Sequence, residues 1–422
     1  MRPSIIYTIT ILKIVILQDD FPPYEMGGAG LLAGIIAKGF VADHHQVFVI
    51  TSVQDKKLQG LFEENGLRIY RIYSDYNERW RSYRSLYNWS TVGRVRSILR
   101  DIRPDIVHAH NIHYHISYHC LKIAREFTDK VFVTLHDIMS FYPGTFTEFI
   151  DRSDLSCPTK FNYRISWIVL VKAFKKRFNP FRNAAVKYYL SKAKKLVAVS
   201  HALKDALQQN GINNCEVIHN GINNVRNSVV DMRELESRYN LENKRVILFG
   251  GRLSGPKGGD IMLQAMVIIS KHVSNARLVV FGRQGNYSDK MLKRTRELGI
   301  HEQIIFAGWH GEDVLKDYFD LAKVVVVPSV CFDSFPTVNL QASIRRKPVV
   351  ATCFGGSREI IENGVNGFIV NPFDIENLSD KIIQLLANPQ MATEFGEKGY
   401  QIVSNKFNLK VMIDSYERLF NL

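Results

Sequence analysis

The sequence predicts two doubly wound α/β domains in tandem, each a parallel sheet covered by helices. Three observations carry this. Short, almost wholly apolar runs alternate with longer stretches of helical period along the entire chain, and the alternation restarts near residue 245. The chain's 422 residues suffice for two such units, since domains typically run to about 100–200 residues each. Apolar runs without polar alternation mark strands buried on both faces, which parallel sheets require.

In the first half, strands are expected over 13–17, 46–51, 67–72, 105–109, 130–135, 195–199 and 216–218, with helices such as 31–40 and 116–126 between them. The Asn-rich segment 220–243, opening on Asn220-Gly221, reads as the linker. Strands then recur over 245–249, 276–281, 303–306, 323–327, 348–351 and 367–370. A terminal helix over 408–422 places Val411, Ser415, Tyr416 and Leu419 on one face. The expected division is therefore a first domain over 1–220 and a second over 221–407, with helix 408–422 returning to the first.

Composition narrows the class. Hydrophobic residues make up 46% of the chain and charged residues 23%, which excludes disordered and collagen-like proteins. The apolar stretch 5–17 is broken by Lys13 and is too short to span a bilayer. It is followed by Gln18-Asp19-Asp20 rather than a small-residue cleavage site, so it reads as a buried first strand and its leader. The five cysteines are scattered, with no C-x-x-C spacing. That argues against a disulfide framework or zinc site and for a cytoplasmic protein.

The net charge of +14 is unevenly placed. Residues 1–215 hold 30 Lys and Arg against 18 Asp and Glu, and no acidic residue lies between Asp154 and Asp205. A one-signed window of that length suggests an anionic partner.

Glycine-rich turns follow several strands. Gly27-Gly28-Ala29-Gly30 precedes a helix, where backbone N–H groups approach an anion with the helix dipole aiding. The spacing departs from the dinucleotide fingerprint, and Thr51-Ser52 stands where its ribose-binding acid would be. In Gly250-Gly251-Arg252-Leu253-Ser254-Gly255-Pro256-Lys257, two cations in glycine-rich backbone after a strand suit a diphosphate. Pro256 and the lack of a Ser/Thr after Lys257 exclude a P-loop ATPase. Asp333, in a loop beyond the strand ending at Val327, sits at the carboxyl end of a parallel sheet, where such folds bind ligands.

These pieces resemble the family-4 retaining glycosyltransferases (group 1) of the GT-B fold, in which two Rossmann-like domains face a central cleft. The resemblance rests on Gly27-Gly28, Gly251-Arg252-Leu253 with Lys257, the block from Pro328 through Gly356, and Gly367-Phe368-Ile369-Val370. Pro104-Asp105-Ile106-Val107-His108-Ala109-His110 and Thr134-Leu135-His136-Asp137 look like the family's acceptor-domain strands.

The resemblance implies roles. Gly27 and Gly28 line the donor's phosphate, with the Gly28 amide touching it. Arg252 and Lys257 neutralise the diphosphate leaving group. Asp333 takes the place of the first glutamate of the E-x7-E signature, near the donor sugar. Ser334 and Phe335 follow, with backbone amides toward the distal phosphate, and His136 stands at the reacting end of the cleft. Gln341 replaces the second glutamate, which in the family accepts hydrogen bonds from the ribose. An amide oxygen accepts them without charge assistance.

No Asp-x-Asp occurs, and cationic side chains can replace Mg²⁺ at the leaving group, so no metal or other cofactor is expected. His108, His110, His113, His115 and His119 cluster in sequence, but only His108 and His110 share a strand face, without a complementary ligand set.

The stretch 161–176 mixes Trp167, Ile168, Val169, Leu170, Val171 and Phe174 with Arg164, Lys172, Lys175 and Lys176. It fits either a core helix with a basic outer face or a helix at an anionic membrane surface, a contact extending over 160–195. Basic residues 79–103 interleaved with Tyr83, Tyr87 and Trp89 also match single-stranded nucleic-acid binders. That reading leaves the glycine and carboxylate motifs unexplained, so no nucleic-acid partner is expected.

The expected activity is sugar transfer from a nucleotide-sugar to a saccharide or polyprenyl-diphosphate-linked acceptor, with retention of configuration. The setting would be cell-surface polysaccharide or glycolipid synthesis at the inner face of the membrane. The alternatives are a catalytically weakened GT-B scaffold that binds glycan or lipid, which Gln341 favours, and a nucleotide-sugar epimerase, which would need acid/base residues beyond Asp333 and His136.

Overall fold

The computed structural model describes residues 11–24, 27–223, 232–251, 253–309 and 312–421. Arg252, the leader before residue 11 and the stretch 224–231 of the expected linker lie outside them.

The first sheet comprises β1 (Lys13–Leu17), β2 (Gln46–Val53), β3 (Gly60–Glu64), β4 (Leu67–Tyr73), β5 (Ile106–Ala109), β6 (Val131–Leu135), β7 (Lys195–Ala198) and β8 (Cys215–Val217). Their order is β3-β4-β2-β1-β5-β6-β7-β8. The second sheet comprises β9 (Arg245–Gly250), β10 (Ala276–Phe281), β11 (Ile304–Gly308), β12 (Val324–Val327), β13 (Val349–Thr352) and β14 (Gly367–Val370), in the order β11-β10-β9-β12-β13-β14. Every pairing is parallel except β3 with β4. Central strands such as β5, β6 and β12 are buried at every residue, which explains their lack of polar alternation.

Strand β3 is absent from the sequence-based expectation. All five of its residues are exposed, so it has no apolar run. Its signal is Asn65-Gly66, both at positive φ (51° and 77°), a two-residue turn that pairs β3 antiparallel with β4.

The terminal helix spans Leu409–Phe420 and buries Met412, Ile413, Tyr416 and Phe420. This corrects the expected face: Val411 is exposed, and of the residues assigned to the face only Tyr416 is fully buried. The larger side chains at 412, 416 and 420 recur every four residues and remove more apolar area from water. Phe420 packs on Phe40 and Phe132 (ring centroids 5.7 and 4.5 Å), and Tyr416 Oη lies 3.0 Å from Thr134 Oγ1. The helix thus completes the core of the first domain, together with Ile14, Ile36 and Val49.

Two crossings between the sheets run side by side. The Ile222 N–H donates to the Phe407 carbonyl (2.8 Å), and residues 222 and 408 form a β-bridge. A strap between β6 and the helix Trp167–Phe174 lies over the second domain. The Phe332 N–H donates to the Phe146 carbonyl (3.0 Å), and Arg358 Nη2 donates to the Cys157 carbonyl (2.9 Å).

The helix within 161–176 begins only at Trp167, capped by Ser166. It has no fully buried residue, and Trp167 is 70% exposed. Leu170 and Phe174 nevertheless pack against the core, so the helix is half-buried, with Trp167, Ile168 and Val171 exposed. No described helix is long and apolar enough to cross a membrane.

Candidate active site

In a doubly wound sheet the ligand crevice opens outside the carboxyl ends of the strands, where the strand order reverses. In the first sheet this is β1, flanked by β2 and β5; in the second it is β9, flanked by β10 and β12. The turns leaving these strands carry most of the residues singled out from sequence.

In the first domain the turns are joined by Asp19. Its carboxylate accepts the N–H groups of Tyr114, His115 and Ile116 at 2.6, 2.8 and 2.7 Å. One side chain after β1 therefore fixes the loop after β5. Burial pushes the Asp19 carboxyl up to about 7 against these three amide bonds.

Gly27 caps the helix Gly28–Ala42, with no side-chain cap and no acidic residue in its first turn. A Cβ at Gly27 would meet nothing within 4 Å, and one at Gly28 only Thr337 Oγ1 at 3.9 Å. Thr337 opens the helix Thr337–Ile344 of the second domain. Two helix N-termini, with their uncapped N–H groups, thus face each other across the cleft, and both favour an anion. Neither glycine is required by strain. Gly28→Ala should therefore leave the melting temperature unchanged or slightly raised, while weakening donor binding by blocking close approach to the backbone. Thermal melting and donor titration of one preparation check both halves, and unchanged donor affinity would exclude close approach at Gly28.

In the second domain Lys257 ends the tight turn Gly255–Lys257, and Gly258 follows at φ 83°. A side chain at Gly258 would run into the Pro328 carbonyl. The Val330 N–H donates to the Pro256 carbonyl at 2.9 Å. These contacts lace the loop after β9 to the loop after β12 and bring Lys257 Nζ to 2.6 Å from Asp333 Oδ2. Ser329 Oγ donates to the same oxygen at 2.9 Å. Lys257 and Asp333, far apart in sequence, are one ion pair.

The Asp333 carbonyl accepts the Gly356 N–H (2.8 Å), and a side chain at Gly355 or Gly356 would overlap the Asp333 or Ser334 carbonyl. Ser334 is buried. The Phe335 ring is also buried, between His219 and Phe407 (5.2 and 5.6 Å), so its side chain is a wall between the domains. Gln341 is half-buried, one helical turn after Thr337. Arg252 lies outside the described residues.

His136 follows β6. Its Nε2 lies 2.9 Å from His110 Nδ1, and the two rings are stacked. His108 extends the group, its ring 4.1 Å from that of His110 and its Nε2 2.8 Å from Thr134 Oγ1. Burial pushes His136 down to about 4 and His108 to about 3, and holds His110 far below the ordinary value. These imidazoles are therefore neutral at physiological pH, so His136 acts as a hydrogen-bonding group rather than a cation.

Because their folded values are depressed, the unfolded chain binds more protons below the ordinary histidine value of 6.5. The cluster's contribution to stability is full above that pH and declines as pH falls through it toward the folded values, opposed in part by the raised carboxyl of Asp19. Denaturant unfolding at pH 7.5 and 5.5 should show a lower unfolding free energy at pH 5.5. Equal values would contradict neutral burial of the cluster.

A further contact joins the domains. Glu359, in the short helix Ser357–Ile360, accepts the N–H groups of His201 and Ala202 at 2.8 and 2.9 Å, and its Oε2 lies 2.8 Å from His219 Nε2. Burial opposes its ionisation, but His219 and the two amides outweigh it and hold the carboxyl below its ordinary value. Among the described residues, His201, His219 and Glu359 form the group whose ligand atoms, all within 4.8 Å of one another, could hold a metal. The carboxylate already caps the N-terminus of the helix His201–Gln209, whose dipole opposes a cation. The arrangement suits an interdomain clamp better than a metal centre.

The sequence reading missed Asp19, His219 and Glu359. Asp19 was legible as an acid ending the first strand, whereas His219 and Glu359 acquire meaning only from each other.

Comparison with known proteins follows this geometry. Residues 231–402 match the family described as Glycosyl transferases group 1, and residues 26–226 match Glycosyltransferase Family 4. An uncharacterized glycosyltransferase of Methanocaldococcus jannaschii is 25% identical over 388 residues, 89% of this chain and 90% of that protein. The lipopolysaccharide 1,2-N-acetylglucosaminetransferase of Salmonella typhimurium is 29% identical over 185 residues, 42% of this chain. That match spans about half of the relative's length (48%). The crystal structure of Anabaena HepE in complex with UDP-glucose superposes with a TM-score of 0.72 at 19% identity, covering 97% of this chain and 100% of that one.

Proposed function

We propose that this chain, which belongs to the group 1, family 4 glycosyltransferases with the GT-B fold, transfers a sugar from a nucleotide-sugar with retention of configuration and without a metal. The observation that carries the donor assignment is the convergence of Lys257–Asp333 and the two uncapped helix N-termini at facing switch points. Cation and backbone N–H groups aimed at one place suit a departing diphosphate, whose developing charge is the main quantity to stabilise. Asp333 holds the Lys257 ammonium in place before the donor arrives. Arg252, five residues before Lys257 in the sequence, is assigned to the diphosphate as well. Gly27 and Gly28 approach its phosphates, Ser334 and Phe335 contribute backbone amides, and neutral His136 orients the sugar at the reacting end. Front-side attack by the acceptor hydroxyl then forms the new glycosidic bond as the bond to the diphosphate breaks.

The acceptor is assigned to the basic first domain as a saccharide or a polyprenyl-diphosphate-linked glycan. The HepE complex with UDP-glucose supports a nucleotide-sugar donor, and the lipopolysaccharide transferase supports a glycolipid or surface-polysaccharide setting. Trp167, Ile168 and Val171 are exposed beside Lys172, Lys175 and Lys176. This supports contact of residues 160–195 with an anionic membrane at the cytoplasmic face.

The test is a calorimetric titration with UDP-, GDP- and ADP-sugars, first without metal and then with Mg²⁺. Metal-independent binding of one nucleotide class, lost in an Arg252/Lys257 double variant, is the expected result. Absence of binding by folded protein would favour the weakened scaffold, the reading that Gln341 supports. Gln341→Glu separates the two readings further. A weakened donor site gains affinity, by about tenfold for one charge-assisted hydrogen bond, whereas a silent scaffold shows no change.

A further inference from the structure

Beside His136, and apart from the diphosphate turns, two arginines are held together by the backbone around them. The short helix Arg81–Arg84 is docked on the segment that leads into the helix Arg182–Leu190. Ser82 Oγ donates to the Arg177 carbonyl (2.8 Å), and Asn179 Nδ2 donates to the Ser82 carbonyl (3.1 Å). Arg182 is only 4% exposed. Its Nη2 donates to the Met139 carbonyl at 2.6 Å and its Nη1 to Asn183 Oδ1 at 3.2 Å, but its buried Nε has no partner among the described residues. Arg81 stacks on the Tyr114 ring, 3.4 Å from its centroid, and its Nε donates to the His113 carbonyl at 3.4 Å. Its Nη2 is likewise buried without a partner among the described residues.

Guanidinium groups do not lose their charge in proteins, and a buried one is normally paired with an anion. Among the described residues, neither arginine has a carboxylate oxygen within ion-pair distance. Of the carboxylates nearby, Asp19 is taken up by the Tyr114, His115 and Ile116 amides, and Asp137 lies 3.7 Å from His113 Nε2, accepts from Asn111 Nδ2 at 3.0 Å and is about one-third exposed. Burial lowers the Arg182 pKa most and Arg81 adds to this, against the opposing influence of Tyr118 and Asp137. Two like charges that both act on the His113 imidazole, each with an unused buried N–H among the described residues, form a site organised for a missing anion.

We propose that Arg81 and Arg182, flanking His113 beside the reacting end of the cleft, form a subsite for the phosphate or diphosphate of the acceptor. This rests on the reading that the first domain receives the acceptor, and it names a chemical class for that acceptor. The helix Trp167–Phe174 borders Arg182: Leu170 and Phe174 line a small cleft with Arg177, Asn179 and Arg182.

The test follows the His113 imidazole resonance of full-length protein by NMR, in a Lys257→Ala background that weakens the donor's diphosphate site. Inorganic phosphate and farnesyl diphosphate are titrated separately. Both should shift His113, and Arg182→Gln or Arg81→Gln should weaken the response at least about tenfold, the loss expected for one charge-assisted hydrogen bond. A response to farnesyl diphosphate alone assigns the site to a lipid-linked phosphate, and an equal response to both assigns it to phosphate as such. No shift with either probe, or a shift unchanged in both arginine variants, overturns the proposal. Arg81→Gln, at the less buried position, keeps the test decisive if Arg182→Gln unfolds. The readout needs no sugar transfer, so failure of the donor titration and failure of this subsite are seen separately.

Discussion

Lys257→Ala is expected to lower kcat by about 100-fold or more, the loss seen when one charge-stabilising donor is removed from a developing anion. The pair with Asp333 sharpens this expectation. Lys257 is 28% exposed and Asp333 12%. Removing the ammonium therefore also leaves a largely buried carboxylate without its cation and should lower stability, which a melt reads separately from the rate. Asp333 would retain its bond from Ser329, while the leaving diphosphate would lose its preset cation. Lys257→Arg should recover part of the rate, because charge returns on a differently shaped group. The measurement is steady-state transfer with the nucleotide-sugar found by titration, alongside a thermal melt. Turnover like that of the parent protein would remove Lys257 from the mechanism.

Glu359→Ala should produce the largest loss of stability. Its carboxylate is 17% exposed and serves three donors from the opposite domain. Truncation leaves two helix N–H groups and His219 without their acceptor, at a cost of about 3 kcal/mol. The folded carboxyl is held below its ordinary value of 4.5. Its contribution is therefore complete above that pH and disappears as pH falls through the folded value, so the variant's deficit should be full at neutral pH. Denaturant unfolding at pH 7 measures it. Glu359→Gln, which keeps the shape but loses the charge, should fall between the two. A Glu359→Ala protein as stable as its parent would show that the domains are held elsewhere. Donor affinity should fall in parallel, because His219 packs on Phe335, two residues from Asp333.

Much of the architecture was legible because parallel strands are buried on both faces. Runs such as Val324–Val327 and Gly367–Val370 need no partner to announce themselves. Strand β3 was missed for the complementary reason: an exposed edge strand carries no burial pattern, only the Asn65-Gly66 turn. The face of the terminal helix was misjudged because several apolar stripes fit its sequence. The core formed by Phe40, Phe132 and Thr134 selected Met412, Tyr416 and Phe420.

By itself, the sequence determined the two doubly wound domains, the glycine turns at strand ends and the chemical types at the cleft, since these follow from local periodicity and backbone sterics. Tertiary structure alone decided which of those residues meet. It paired Lys257 with Asp333, made one carboxylate at Asp19 tie two loops, set Glu359 as a clamp on the opposite domain and docked the short helix carrying Arg81 on the segment before Arg182. The physical reason is that hydrogen bonds and ion pairs act over a few ångströms, and only the folded chain brings residues remote in sequence within that range.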